Sequence, residues 1–324
     1  MKDRAVAVRA LTPLVLVILI GAVFNQEGAF FRWEAHRAML REIAVVGILA
    51  CGMTVVVVTA GIDLAVGSVL ALSAVSLSTL LMPLGWSGPA AVLAVLAMGL
   101  CLGALAGILV ARLGMQPFVV TLAAMVFARG LAKHIADGKK VTTYVVGDDG
   151  VGRLLDTPPL FAAIDRKILG DQVAIVTVIF ALVVVTTFLV LRRLVVGRYL
   201  YAVGGNAPAA FLAGVPVQRT LVFAYAYSGL CAALAGICQA AQETQGDPET
   251  GLGYELDAIA MVVLGGTSLM GGRGGVGLTL VGALTLGYLQ KVLSLNAFST
   301  ETRLMLTGGI IVAAVLFQRR SSSR

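Results

Sequence analysis

Residues 192–219 read RRLVVGRYLYAVGGNAPAAFLAGVPVQR, and they stand between two long apolar runs. Arg192, Arg193, Arg198 and Arg219 bracket the stretch, and a short loop with such flanks stays on the cytoplasmic side of a membrane. Inside it lies a miniature helix with its punctuation written out. Asn206 is placed to cap the start, Ala207 to Ala213 form the body, Gly214 suits a left-handed stop, and Pro216 forbids continuation. So short a helix is not stable alone in water, so Phe211 and Leu212 read as anchors on some outside surface. Two surfaces qualify at this point: the lipid headgroups, or a partner on the cytoplasmic side.

Working outward from that loop, the rest of the chain is oily. It has 324 residues, 59% of them hydrophobic and 13% charged. Repeated apolar stretches near twenty residues mark membrane-spanning helices. Barrel strands would alternate polar and apolar, and these runs do not. The class is therefore all-α and polytopic, with residues 1–324 forming one transmembrane domain. The net charge of +7 does not point to nucleic acid, because the cations collect at span ends.

The hydropathy pattern predicts about ten spans, over 5–24, 43–60, 65–84, 89–111, 117–135, 173–191, 220–241, 257–270, 276–293 and 302–317. The N-terminal run lacks a small-x-small cleavage site, so it reads as an uncleaved first helix. Spans 257–270 and 302–317 are short for a hydrocarbon core of about 30 Å, and the first reads as a half-helix or re-entrant piece. Arg129 and Lys133 interrupt span 117–135 near its end, where they can snorkel outward. An even number of crossings puts both termini on one side. The cations of the termini and of 192–219 favour both termini inside, since those of the long segment 136–172 weigh less. Asp3 and Asp63 are then the only acids on the inner side.

Short turns join most spans. The exception is 136–172, ADGKKVTTYVVGDDGVGRLLDTPPLFAAIDRKILGDQ, an outer segment with strand-like residues, a Gly/Asp turn and a short helix expected over 160–169. A loop this long in a compact protein usually has a task. Its charges, Asp148, Asp149, Arg153, Asp156, Asp165, Arg166 and Lys167, suit either a soluble partner or a solvated cover. Gly103, Gly107, Gly47, Gly52, Gly229 and Gly236 let helix backbones approach closely in lipid.

Two interruptions carry the remaining signal. GIDLAVGS at 61–68 places Asp63 between two apolar spans. An aspartate at mid-span costs roughly 2.5–3.5 kcal/mol, so it needs polar surroundings. Gly61 and Gly67 permit a break, and Asp63 suits either a broken helix lining a solute path or an ordinary capped turn. LGGTSLMGGRGGVG at 264–277 contains the spacing of a dinucleotide fingerprint at Gly272, Gly274 and Gly277. No soluble βαβ unit surrounds it and no acid follows at about twenty residues, so it reads as tight backbone turns between membrane helices. Glu255 and Asp257 suit the N-terminus of the following helix.

No phosphate-binding G-x-x-x-x-G-K-[ST], no H-E-x-x-H and no G-x-S-x-G occurs. Cys51, Cys101, Cys231 and Cys238 lie inside apolar runs without metal-ligand spacing and read as small core residues, so neither catalysis nor a metal site is expected. His36 and His134 read as isolated surface residues. An ion-coupled carrier should bury several ionisable groups, yet Asp63 alone is a candidate. The energy for any pumping is then expected from another subunit.

GIDLAVGS at 61–68, QPFVVTLAAMVFARGL at 116–131, GRYLYAVGGNAPAAFLAGV at 197–215 and GYELDAIAMVVLGGTSLMGGRGG at 253–275 resemble the permeases of ribose-, xylose- and galactose-type ATP-binding-cassette importers. The blocks occur in that family's order, and the similarity runs from about residue 40 over nearly all the chain. The resemblance implies a homodimeric permease in the bacterial inner membrane, with a translocation path at or near its two-fold interface. It implies a cytoplasmic ATPase that holds the ATP and Mg, a periplasmic sugar-binding protein, a monosaccharide substrate and no cofactor in this chain. The family's cytoplasmic coupling helix would correspond to 206–214, with Arg198, Gly205, Asn206, Ala207, Pro208, Phe211, Leu212 and Gly214 as the ATPase-facing residues. Asp63, Ser68, Thr267 and Ser268 would then border the translocation path. Asp148, Asp149, Arg153, Asp165 and Arg166 would meet the binding protein. The alternative is an ion-coupled secondary sugar carrier with no ATPase.

Overall fold

One helix is apolar on every side, and it becomes the axis of the molecule. The computed structural model describes residues 2–146, 152–299, 301–303, 305–306 and 308–309. After α1 (Lys2–Val23) and a short 3-10 turn, α2 runs from Trp33 to Val58. Every residue of α2 from Ile43 to Val58 is buried, as a helix without a polar face must be. The helices α7 (Ile175–Arg192), α10 (Val217–Glu243), α11 (Tyr254–Leu264) and α12 (Val276–Leu295) pack around it.

Outside this ring, α3 (Val66–Leu81), α4 (Gly88–Leu113) and α5 (Pro117–Ile135) form a second group against α10. The broadest packing joins α4 to α10 and depends on missing side chains. A Cβ at Gly103 would run into the Tyr225 carbonyl, and one at Gly229 into the Gly99 carbonyl. The glycine pattern of the sequence is thus a backbone-to-backbone seam. Large residues such as Leu93, Leu105, Phe118, Phe127, Leu182 and Phe188 stay exposed on α4, α5 and α7, as suits surfaces turned to lipid.

Among the described residues six helices are long and apolar enough to cross a membrane: α2, α4, α5, α7, α10 and α12. Ala10–Val23 and α3 are shorter apolar helices. The expected span 257–270 is the 11-residue α11, about 16 Å long, and it stops at Leu264. Span 302–317 falls mostly outside the described residues. The polytopic helical class stands; the other four of the ten expected spans fall on α1, on the shorter α3 and α11, and on a stretch mostly outside the described residues.

The described part of 136–172 packs over one end of the bundle as a cap. A hairpin of β1 (Tyr144–Val146) and β2 (Gly152–Leu154) precedes α6 (Pro159–Asp165). A smaller pair, β3 (Lys167–Ile168) and β4 (Val173–Ala174), leads into α7. Phe161 of α6 is fully buried against α3, α4 and α10. Arg41 of α2 pairs with Asp165, Arg37 donates to the Asp171 carbonyl at 2.7 Å, and Trp33 Nε1 donates to Gln172 at 2.7 Å.

Two residues sit differently from expectation. Cys101 is exposed on α4, whereas Cys51, Cys231 and Cys238 are buried, all four as free thiols. His36 is packed among Phe30, Trp33 and Tyr288, with Nδ1 3.2 Å from the Tyr288 hydroxyl.

Candidate functional site

At the far end of α7 from the 136–172 segment, α8 (Val195–Gly205) leads straight into α9 (Ala207–Leu212). Asn206 Oδ1 accepts from the Ala209 amide at 2.9 Å, which is the N-cap expected from sequence. Gly214 has φ of 82°, its amide donates to Phe211, and the Val215 amide donates back to Ala210, both at 3.0 Å. That pair of bonds is a Schellman stop. The helix is one residue shorter than expected, with Ala213 as its C-cap. Ala210 is buried, but Phe211 is 70% and Leu212 86% exposed. Arg198, Gly205 and Pro208 are exposed beside them and Ala207 is half-buried. So the packing of α9 onto its own chain leaves both anchors without cover.

The α8 helix touches the glycine-rich stretch directly. Tyr201 Oη donates to the Gly274 carbonyl at 2.9 Å. Gly204 lies so close to the end of α2 that a Cβ there would strike the Val58 carbonyl, with the Gly272 nitrogen 2.8 Å away. The Gly272 amide in turn donates to Val58 at 2.9 Å. Gly271 and Gly272 have φ of 77° and 70°, a conformation in which a Cβ is strained. Thr267 Oγ1 accepts from Gly275 at 3.2 Å, and Ser268 Oγ accepts from Met270 at 3.2 Å. Both hydroxyls thus hold the turn that joins α11 to α12.

Asp63 lies in the break between α2 and α3 and is buried. Its Oδ1 accepts from the Ala65 amide at 3.0 Å, and its Oδ2 accepts from Ser228 Oγ of α10 at 2.7 Å. The carboxylate therefore supports the turn and ties the break to a distant helix, while the N-cap of α3 is Ala65, with no side-chain cap bond. It borders a cavity of about 310 Å³ between α3, α4, α5 and α10. The remaining wall is aliphatic and aromatic, including Val66, Leu102, Leu109, Val120 and Phe127. Ser68 is buried in the first turn of α3.

Residues 244–253, between α10 and α11, are not helical, yet they run along α3. Gly246 packs at Ala74 and Val75, and Gly251 at Gly67 and Leu70. Backbone carbonyls that no helix or sheet pairs need donors from elsewhere in the protein. Arg129 of α5 supplies them, with Nη1 donating to the Pro248 carbonyl at 2.6 Å and to the Thr250 carbonyl at 2.7 Å. Lys133 pairs with Glu249 at 2.7 Å and Lys140 with Asp247 at 2.9 Å. Arg129 and Lys133 are thus engaged with this segment and do not snorkel outward as expected from sequence. An ionisable residue inside an apolar span was the available signal. Its partners lie more than a hundred residues away, so no local pattern could name them.

In the 136–172 segment, Asp165 is committed to Arg41 and Arg166 is exposed. Arg153 lies in β2, opposite Val145. Asp148 and Asp149 lie outside the described residues. Among the described residues no cluster of three or more His, Cys, Asp or Glu could hold a metal.

A bundle with an axial apolar helix, lipid-facing neighbours and non-helical segments packed inside defines a multi-pass membrane protein. The chain belongs to the family described as "Branched-chain amino acid transport system / permease component", whose model matches residues 37–315. It is 38% identical to the ribose import permease protein RbsC of Haemophilus influenzae, over 95% of this chain and 91% of that protein. It is 39% identical to RbsC of Bacillus subtilis, over 96% and 92%. The xylose transport system permease protein XylH of Escherichia coli is 30% identical, over 100% and 94%. No solved structure gives a significant match.

Proposed function

We propose that this chain is the membrane-spanning permease of an ATP-binding-cassette importer that moves a monosaccharide into the cytoplasm. The family name mentions branched-chain amino acids, but relatives that align along nearly their whole length are named for ribose and xylose. Those names favour a sugar as the cargo. The observation that carries the reading is α9: a fully capped helix whose two large apolar residues, Phe211 and Leu212, face outward. Such a helix suits a protein socket, and its basic flanks favour the cytoplasmic side.

In this reading a separate ATPase, which holds ATP and Mg, grips Arg198, Gly205, Asn206, Ala207, Pro208, Phe211, Leu212 and Gly214. Its closure pushes on α9, and the segments around Asp63, Ser68, Thr267 and Ser268 rearrange so that the path opens alternately to either side. Two copies of the chain pair in the bacterial inner membrane, each with about ten crossings and both termini inside. A periplasmic sugar-binding protein delivers the cargo to the outer segment, using Asp148, Asp149, Arg153, Asp165 and Arg166. Asp165 is the least available of these, because Arg41 occupies it.

The test is purification of the tagged chain in mild detergent, followed by uptake in liposomes. A co-purified subunit with a phosphate-binding loop, whose ATPase is stimulated by sugar-loaded binding protein, is the expected result. The stimulating sugar then names the substrate. A chain that comes out alone and moves sugar under an ion gradient without ATP overturns the reading in favour of a secondary carrier.

A further inference from the structure

We infer that Tyr201 is a positioning residue that transmits movement of α9 to the glycine-rich turn 265–275. The inference rests on the permease reading above and deepens it by naming the joint between the docking helix and the membrane helices. Three features of the structure support it.

First, α8 and α9 are separated by Asn206 alone, so a push on Phe211 or Leu212 moves α8 with it. Second, α8 meets the turn through a directional bond and a close backbone contact. Tyr201 Oη reaches the Gly274 carbonyl at 2.9 Å, and Gly204 sits against the Val58 carbonyl and the Gly272 nitrogen. A contact without side chains has no slack, because neither partner can change rotamer. Third, the turn is attached at both ends to helices that pack on the axial α2. Gly265 lies against Leu278 of α12, and Gly282 against the Met261 carbonyl of α11. The Gly272–Val58 bond pins its middle to the end of α2 itself. Displacing α8 therefore strains its Tyr201 bond to the turn and its Gly204 backbone contact with the end of α2, to which the turn itself is bonded through Gly272.

Tyr201→Phe removes the hydroxyl and keeps the ring. A structural role alone would lower abundance, ATPase rate and uptake together. A transmitting role separates them. With the ATPase subunit and binding protein reconstituted in liposomes, we expect ATP hydrolysis within twofold of the wild type. Sugar moved per ATP should fall about fivefold, the size of one net hydrogen bond. An unchanged ratio of sugar to ATP overturns the inference while leaving the permease reading intact. Absence of ATP-driven uptake by the wild-type complex overturns both.

A second measurement does not depend on the variant. In the wild-type complex, hydrogen exchange at the 271–275 amides should change when ATP binds, and that change should vanish in Phe211→Asp, where α9 cannot dock. Exchange in this turn that is indifferent to nucleotide overturns the inference.

Discussion

Ser228 Oγ donates to Asp63 Oδ2 at 2.7 Å across 165 residues of sequence, joining the α2–α3 break to the middle of α10. A buried carboxylate without partners is costly, and removing one member of such a pair strands the other. Asp63→Ala should lower thermal stability in detergent by about 1–3 kcal/mol, and Ser228→Ala by less. A double-mutant cycle should return a coupling of about 0.5–3 kcal/mol; additive effects would mean that the pair contributes nothing. Uptake by Asp63→Ala should fall further than its membrane abundance, and a parallel fall would reduce Asp63 to a turn residue.

Phe211→Asp places a charge on an already exposed position. Folding and membrane insertion should be unaffected, because α9 keeps its Asn206 cap and its Gly214 stop. ATP-driven sugar uptake should fall at least tenfold, since a charge in an apolar socket costs more than the 1.4 kcal/mol that a factor of ten requires. Normal uptake by this variant would remove α9 from the coupling path.

Arg129 holds two carbonyls that lie beyond the reach of any helix bond. Arg129→Ala should raise proteolysis or hydrogen exchange of residues 244–253 and leave α5 itself protected. Arg129→Lys should restore protection only in part, because the two N–H directions of Nη1 are fixed by the guanidinium plane, whereas an ammonium rotates on a flexible stem. Equal protection in all three forms would show that the segment is held by its packing against α3.

The α4–α10 seam has no room at Gly103, where a Cβ would meet the Tyr225 carbonyl. Gly103→Ala should destabilise the protein by about 1–3 kcal/mol through overpacking, read as a lower melting midpoint in detergent. Gly130, with open space around it, is the control, and Gly130→Ala should be neutral or slightly stabilising.

Acid should loosen the 244–253 segment where Lys140 meets Asp247. Burial alone would raise the Asp247 pKa, but hydrogen bonds from Lys140 and the Glu249 amide outweigh it and hold the carboxyl below its ordinary 3.8. A depressed folded pKa means a stabilising contribution that is present at neutral pH and lost as pH falls through that folded value. Protection of the Val141 and Gly246 amides, which donate to each other's carbonyls beside Asp247, taken relative to the intrinsic exchange rate at each pH, should be high at pH 6 and fall below about pH 4. In Asp247→Asn that pH dependence should disappear.

Hydropathy, the cap residues of α9 and the glycine spacing of α4 were legible because each acts within a few residues of itself. They determined the polytopic helical class, the short capped helix between Asn206 and Gly214, and the close seam at Gly103 and Gly107. The interior partners were not legible. Ser228 for Asp63, Pro248 and Thr250 for Arg129, Val58 for Gly272 and Gly274 for Tyr201 are all long-range choices, made only when packing brings distant backbone into reach. A lipid-like interior explains the division: apolar pattern says which stretches leave water, but each polar group taken along must find its particular partner inside the protein. Only the tertiary structure decides which one.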